Sequence, residues 1–319
     1  MQLRTDVANW KAILRTSCCY GLALLWAASC AAQTANPALN PAQNPASISG
    51  DAPTASPLAA DEAALRAEIA AHPDQAELLY RLGLMLRLED KPKESLETYT
   101  RAAKLRKPDA GELRSVALDY VLLDDYTDAV HWLELAVGME PGNVEVLYSL
   151  GRCYYSRGQF HEAEAMYLRV LQQTPDSLRA EENLGLAYDA ENRPELAEPA
   201  LRAAAGLADR QKSDEWPFLN LGAFLLDQGR APEAVPFLAK AVSLAAKSAL
   251  CHEKLGRALE ESGKAAEGVK ELETAVRLDP SNPNVHFELG HAYRQAGEME
   301  KARTEFAESQ RLRKVRDAK

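Results

Sequence analysis

The stretch Val144–Pro175, VEVLYSLGRCYYSRGQFHEAEAMYLRVLQQTP, decides the fold. Its first half carries Leu147, Leu150, Gly151 and Tyr154 at helical spacing, and its second half carries Ala163, Tyr167 and Val170 in the same way. Residues three or four apart share one face of a helix, so each half presents one buried stripe. Gly158 separates the halves and Pro175 closes the stretch, which marks turns at those two places. The stretch therefore reads as two amphipathic helices folded back on each other.

Working outward, the pattern recurs along the chain. Gly83, Ala117, Gly151, Gly185, Gly222, Gly256 and Gly290 fall 34 residues apart, with one interval of 37. A small row follows at Ser95, Ala129, Ala163, Ala197, Ala234, Gly268 and Ala302. A bulky row comes next at Tyr99, Leu133, Tyr167, Leu201, Leu238, Leu272 and Phe306. A second small row stands at Ala102, Ala136, Ala204, Ala241 and Ala275, with Val170 and Ser309 as exceptions, and Pro141, Pro175 and Pro280 close units. A fixed period of this length is the mark of a repeat array in which each unit contacts only its neighbours. On this reading Gly allows close backbone approach, and the small rows make room for bulky residues of the neighbouring unit. No strand is required.

These rows resemble the tetratricopeptide repeat family over seven consecutive units: 76–109, 110–143, 144–177, 178–214, 215–248, 249–282 and 283–316. Departures are Ala117 in the Gly row, Glu181 and His252 where the family favours a large apolar residue, and three extra residues between Gly206 and Trp216. The resemblance implies an all-α, right-handed superhelical solenoid in which first helices line a concave groove and second helices lie outside. Lining residues implied in this way are Tyr80, Leu84, Arg87, Arg114, Leu118, Tyr148, Arg152 and Tyr155, with Asn183, Trp216 and Asn220 further on. Tyr, Leu and Arg are the mixture enriched where proteins bind proteins. Beyond them Glu182, Asp189, Asp227, Glu253, Glu260 and Glu261 make the lining acidic, interrupted by Trp216, Leu219 and Leu226. The family's chaperone-tail clamp uses Lys and Asn at first-helix sites that here hold Tyr80, Leu84, Arg114, Leu118, Tyr148 and Arg152, so that mode is discounted. Asn183 and Asn220 share the phase of the Asn ladder with which some long arrays grip peptide backbones.

The amino-terminal residues 1–30 have the composition of an export signal: Arg4, Lys11 and Arg15, then an apolar run from Cys18 to Ala28 shorter than the ~20 residues of a membrane-spanning helix. Trp26-Ala27-Ala28-Ser29-Cys30 resembles a bacterial lipoprotein cleavage box, which implies lipidation at Cys30; ordinary signal cleavage near Ala31 is the alternative. Residues 31–59, rich in Ala, Pro and Asn, are expected to be a disordered tether. A helix capped by Asp61, within 60–75, is expected to cover the first unit through Leu65 and Ile69, and 317–319 form a tail. Cys153 and Cys251 lie three units apart and are expected to be buried free thiols.

A net charge of −10 argues against nucleic-acid binding, and the basic run Gln310–Lys319 reads as a solvated outer helix. The six His residues show no His-Glu-x-x-His spacing; His252 and His286, at one phase of adjacent units, are the two placed to lie near each other. No phosphate-cradling loop, nucleophile elbow or Cys-x-x-Cys pair occurs. The expectation is a non-enzymatic adaptor without metal or cofactor. It would sit on the periplasmic side of a bacterial envelope, on the outer membrane if lipid-anchored, with a protein segment in its groove. The competing expectation is a spacer or assembly factor within a pilus, export or outer-membrane assembly, acting through its convex face or its ends.

Overall fold

Each unit does consist of two antiparallel helices, and the rows of the repeat explain how they cross. The structure, a computed structural model, describes residues 57–317; the signal, Cys30 and most of the tether lie outside the described residues. Among the described residues there are fifteen helices and no strand. The first is α1 (Pro57–Ala71). First helices of the units are α2 (Ala76–Leu88), α4 (Ala110–Leu122), α6 (Val144–Ser156), α8 (Leu178–Ala190), α10 (Trp216–Asp227), α12 (Ala249–Glu261) and α14 (Pro283–Gln295). Second helices are α3 (Pro92–Ala103), α5 (Tyr126–Met139), α7 (Phe160–Gln173), α9 (Pro194–Gln211), α11 (Ala231–Leu244), α13 (Ala265–Leu278) and α15 (Met299–Asp317).

A first helix packs on the second helix of its own unit and on that of the unit before. First helices of adjacent units also touch, from α2 against α4 through to α12 against α14, whereas second helices do not pack on one another comparably. The described residues thus form a helical solenoid with first helices along its inner side.

The Gly row makes this crossing possible. A Cβ at Gly222 would stand 2.5 Å from Leu238 Cγ, one at Gly151 2.7 Å from Tyr167 Cε1, and one at Gly290 2.8 Å from the Phe306 ring. The bulky residue that fills the space at Gly therefore belongs to the same unit. Both small rows are buried. At Gly268 the backbones themselves meet, since a Cβ there would lie 2.8 Å from Gly256 O.

Turns inside the units share a second device. Asp90, Asp124, Gly158, Asn192, Gly229, Gly263 and Gly297 all have positive φ, between 56° and 81°, and all occupy the same place just after the first helix. Only Gly adopts this left-handed conformation without strain, and Asn and Asp tolerate it best among the rest. The extra residues of the fourth unit extend α9 to 18 residues, against 14 for α7, and Lys212 ends it at φ 52°.

Helix α1 takes the place of a second helix ahead of the first unit. Leu65 and Ile69 are buried. Lys91 Nζ donates to Glu62 Oε2 at 3.1 Å, and Arg193 Nη1 donates to Glu164 Oε2 at 2.8 Å; both pairs are 29 residues apart. The remaining face of α1 is Ala and charge, which suits a terminal cap.

Candidate functional site

On the inner side the first helices carry a ladder of polar links, one at each junction from the second unit onward. Arg114 Nε donates to Ser149 Oγ at 2.8 Å, and its Nη2 pairs with Glu145 at 3.0 Å. Glu145 also meets Arg179 at 3.8 Å, while Asn183 Nδ2 donates to Tyr148 OH at 3.2 Å. Asn220 Nδ2 donates to Glu182 Oε1 at 2.8 Å. Asp227 meets Arg257 at 3.7 Å, and Glu260 lies 3.8 Å from His291 Nδ1. The exposed ion pairs among these links contribute little each, about 0–1 kcal/mol.

The expected lining residues divide into three groups. Leu84 is exposed, and so are Leu88 on the same helix and Leu122 on α4 (41%, 63% and 47%), although Leu is normally core. Leu118, Arg87, Arg114, Arg152, Tyr148, Tyr155 and Trp216 are half-buried. Tyr80, Asn183 and Asn220 are buried, which corrects their placement as open groove lining. Tyr80 is covered from the loop before α4: its hydroxyl donates to Arg106 O at 2.7 Å and the Arg106 guanidinium lies 4.4 Å over its ring. The two Asn side chains are turned onto the ladder. Leu219 and Leu226, expected to interrupt the acidic lining, are core.

Charge is segregated along this face. Burial pulls the Arg114 guanidinium below its ordinary range, opposed by Glu145 and assisted by Arg87 and Arg179. Among the described residues neither Arg87 nor Arg152 forms an ion pair, and Arg87 Nε is buried without a hydrogen-bond partner. Past Tyr155 the sign reverses. Burial pushes the Glu182 carboxyl up to about 7. Burial and then Glu288 and Glu261 push Glu260 up to about 7, and burial and then Asp227 raise Asp189. Crowded carboxylates of this kind resist ionising together.

Two clusters escaped the sequence reading. Asp119 is fully buried between the first two units, where it meets Ser95 Oγ at 2.6 Å, and Ser95 Oγ donates to Gly83 O at 2.7 Å. A hydroxyl has one proton, so both contacts are satisfied when the Asp119 acid donates to Ser95 Oγ. Burial pushes that carboxyl up to about 7. The signal was present: the same phase holds Met85, Cys153, Ala187, Phe224, Ala258 and Ala292 elsewhere.

The second cluster concerns His252 and His286, which do not meet. Each is clasped by a Glu of its own unit and by a carbonyl from the end of the unit before: His252 Nδ1 lies 2.6 Å from Glu271 Oε2 and its Nε2 3.1 Å from Ala246 O. His286 repeats this with Glu305 at 2.6 Å and Pro280 O at 3.1 Å. A His–Glu spacing of 19 residues, found twice in register, was the available clue. Cys153 and Cys251 are buried free thiols, and burial pushes Cys153 up to about 12, far from the reactive thiolate. Among the described residues no group of three or more His, Cys, Asp or Glu is placed to hold a metal ion.

Repeated helix pairs whose inner face is variable and whose packing rows are fixed define a helical repeat scaffold. Family models described as tetratricopeptide repeat match residues 121–184, 154–215, 218–248 and 253–314, together more than half of the chain. The chain belongs to the tetratricopeptide repeat family, whose members bind protein partners and are generally non-catalytic scaffolds.

Human tetratricopeptide repeat protein 7A is 32% identical over 116 residues, 36% of this chain and 13% of that protein. Tetratricopeptide repeat protein 8 of Caenorhabditis elegans is 27% identical over 141 residues, 44% of this chain and 28% of that protein. The chain thus spans less than a third of the length of either relative. Among solved structures, Pseudomonas aeruginosa pilF superposes with a TM-score of 0.59 at 17% identity, covering 69% of this chain and 97% of that one. A tetratricopeptide repeat protein of Parabacteroides merdae gives 0.58 at 18% identity, covering 74% and 92%. At these identities the likeness is one of fold.

Proposed function

We propose that this chain is an adaptor that docks a segment of a partner protein on the inner face of its first helices. The observation that carries the reading is the exposure of Leu84, Leu88 and Leu122 in neighbouring units, where the packing rows do not use them. Contiguous apolar surface on a solenoid's inner side is surface kept for a partner. Aromatic and Arg anchors beside it, Tyr148, Tyr155, Arg114 and Arg152, would supply affinity. A photo-crosslinking residue at position 88 or 122 of the full chain, expressed in its own cells, should capture the partner. Adducts only from positions 135 and 139 would replace this reading with the second one, a spacer acting through its second helices. That alternative is favoured by Leu135 and Met139, which are exposed on α5.

The setting is proposed from the amino-terminal sequence: export, a lipid anchor at Cys30, and display on the periplasmic side of the envelope at the end of the tether. Detergent-phase partitioning that is lost in Cys30→Ala supports the anchor; partitioning that persists unchanged refutes it.

A further inference from the structure

We infer that the docked segment is acidic and apolar by turns, and that it lies across the first three units. The inference rests on the inner-face reading above and adds the chemistry of the occupant. Its apolar side chains would cover Leu84, Leu88, Leu118 and Leu122, and its carboxylates would reach Arg87 and Arg152.

Charge complementarity is the argument. The chain as a whole carries −10, yet the inner face of the first four units concentrates Arg87, Arg114, Arg152 and Arg179 against Glu145 as the one inner-side carboxylate that pairs with them. Glu145 spends both oxygens on Arg114 and Arg179. Glu182, next along, is buried with a carboxyl raised to about 7 and held by Asn220, so it offers little charge to its neighbours. Arg152 is left without an ion pair among the described residues, and Arg87 feels the Asp119 carboxyl, which burial raises to about 7. Guanidinium groups in this state favour planar acceptors such as carboxylates, which they bind by charge-assisted hydrogen bonds.

The reversal of sign then limits where an acidic segment can lie. Asp189 and Asp227 would repel it, so binding ends near Tyr155. At roughly 10 Å between adjacent helices, three units span about 20–30 Å, which an extended segment of about eight residues covers. Both kinds of side chain are needed because Leu84, Leu118 and Arg152 hold the same phase of successive first helices.

The test uses the full chain and a twelve-residue probe of alternating Leu and Glu, acetylated and amidated so that no terminal carboxylate is present. Its partner control replaces every Glu with Lys. Fluorescence anisotropy should show the Glu probe binding at least tenfold more tightly than the Lys probe, with affinity falling between 50 and 500 mM salt. Arg87→Gln combined with Arg152→Gln should weaken the Glu probe at least tenfold, and Leu88→Gln with Leu122→Gln should do likewise. Circular dichroism confirms that each variant keeps its helices.

Equal binding of the two probes, or a Kd within twofold of the parent in the Arg double variant, overturns the acidic assignment. Hydrogen exchange separates that failure from a failure of the adaptor reading. Protection of α2 and α4 by the Lys probe alone would keep the docking face and reject its proposed chemistry. Absence of protection by either probe, together with crosslinks only from positions 135 and 139, rejects the face as well.

Discussion

Replacing Asp119 by Asn should make the protein less sensitive to alkaline pH, and the size of the effect follows from the burial of this carboxyl. Its ordinary value is 3.8 and in the fold it stands near 7. A folded value above the unfolded one means that the folded state holds the proton more tightly. Stability from this group is therefore complete below about pH 4 and is lost as pH rises to about 7. A difference of roughly three units corresponds to about 4 kcal/mol as an upper bound, at about 1.4 kcal/mol per unit. Asn is nearly the same size, stays neutral, and can donate to Ser95 Oγ as the acid does. Parent and Asp119→Asn should thus have similar urea midpoints at pH 4, with the variant pulling ahead by up to that amount at pH 8. Glu182 and Glu260 shift in the same direction, so the comparison is the difference between two proteins at each pH, in which their contributions cancel. Urea titration followed at the helical dichroism band, with hydrogen exchange on α2 to α4 to localise the change, measures it. A variant that differs from the parent by the same margin at pH 4 and pH 8 would falsify the protonated-acid account of this junction.

Other outcomes follow from the packing. Gly222→Ala places a methyl 2.5 Å from Leu238 Cγ and should cost about 1–3 kcal/mol, seen as a lower thermal midpoint. Asp124→Gly relieves a residue held at φ 58° and should stabilise by about 1 kcal/mol, whereas Gly263→Ala, with open space around it, should cost a similar amount through its backbone alone. Glu305→Gln weakens the clasp on His286 and should cost about 1–3 kcal/mol. Because Glu305 and His286 both lie in one unit, faster hydrogen exchange should stay confined to α14 and α15; a uniform rise along the array would contradict this.

Much of the architecture was legible because the Gly, small and bulky rows are constrained by backbone crossing, a local requirement repeated seven times. The residues between those rows were harder to place. Tyr80 and Leu84 sit one turn apart on one helix, yet the first is covered by the Arg106 loop and the second is open. Leu219 and Leu226 likewise joined the core although their phase matched that of lining residues. Whether a first-helix side chain is open depends on how closely the next unit and its preceding loop approach, and that distance is set by contacts spread over two units. Gly158 and Gly229 announced their turns, whereas Asp90, Asp124 and Asn192 reached the same conformation without the residue that advertises it.

The inner-side ladder has a mechanical consequence. Each link spans one junction, so pulling the array lengthwise loads the links in series, and the softest sets where it first gives. Asn220 and Glu182 are buried from counter-ions, while the Asp227–Arg257 link is a long ion pair that salt screens. Rising ionic strength should therefore loosen the Asp227–Arg257 junction before the Asn220–Glu182 one. Under tension in an optical trap at high salt, the fifth and sixth units would part before the fourth and fifth.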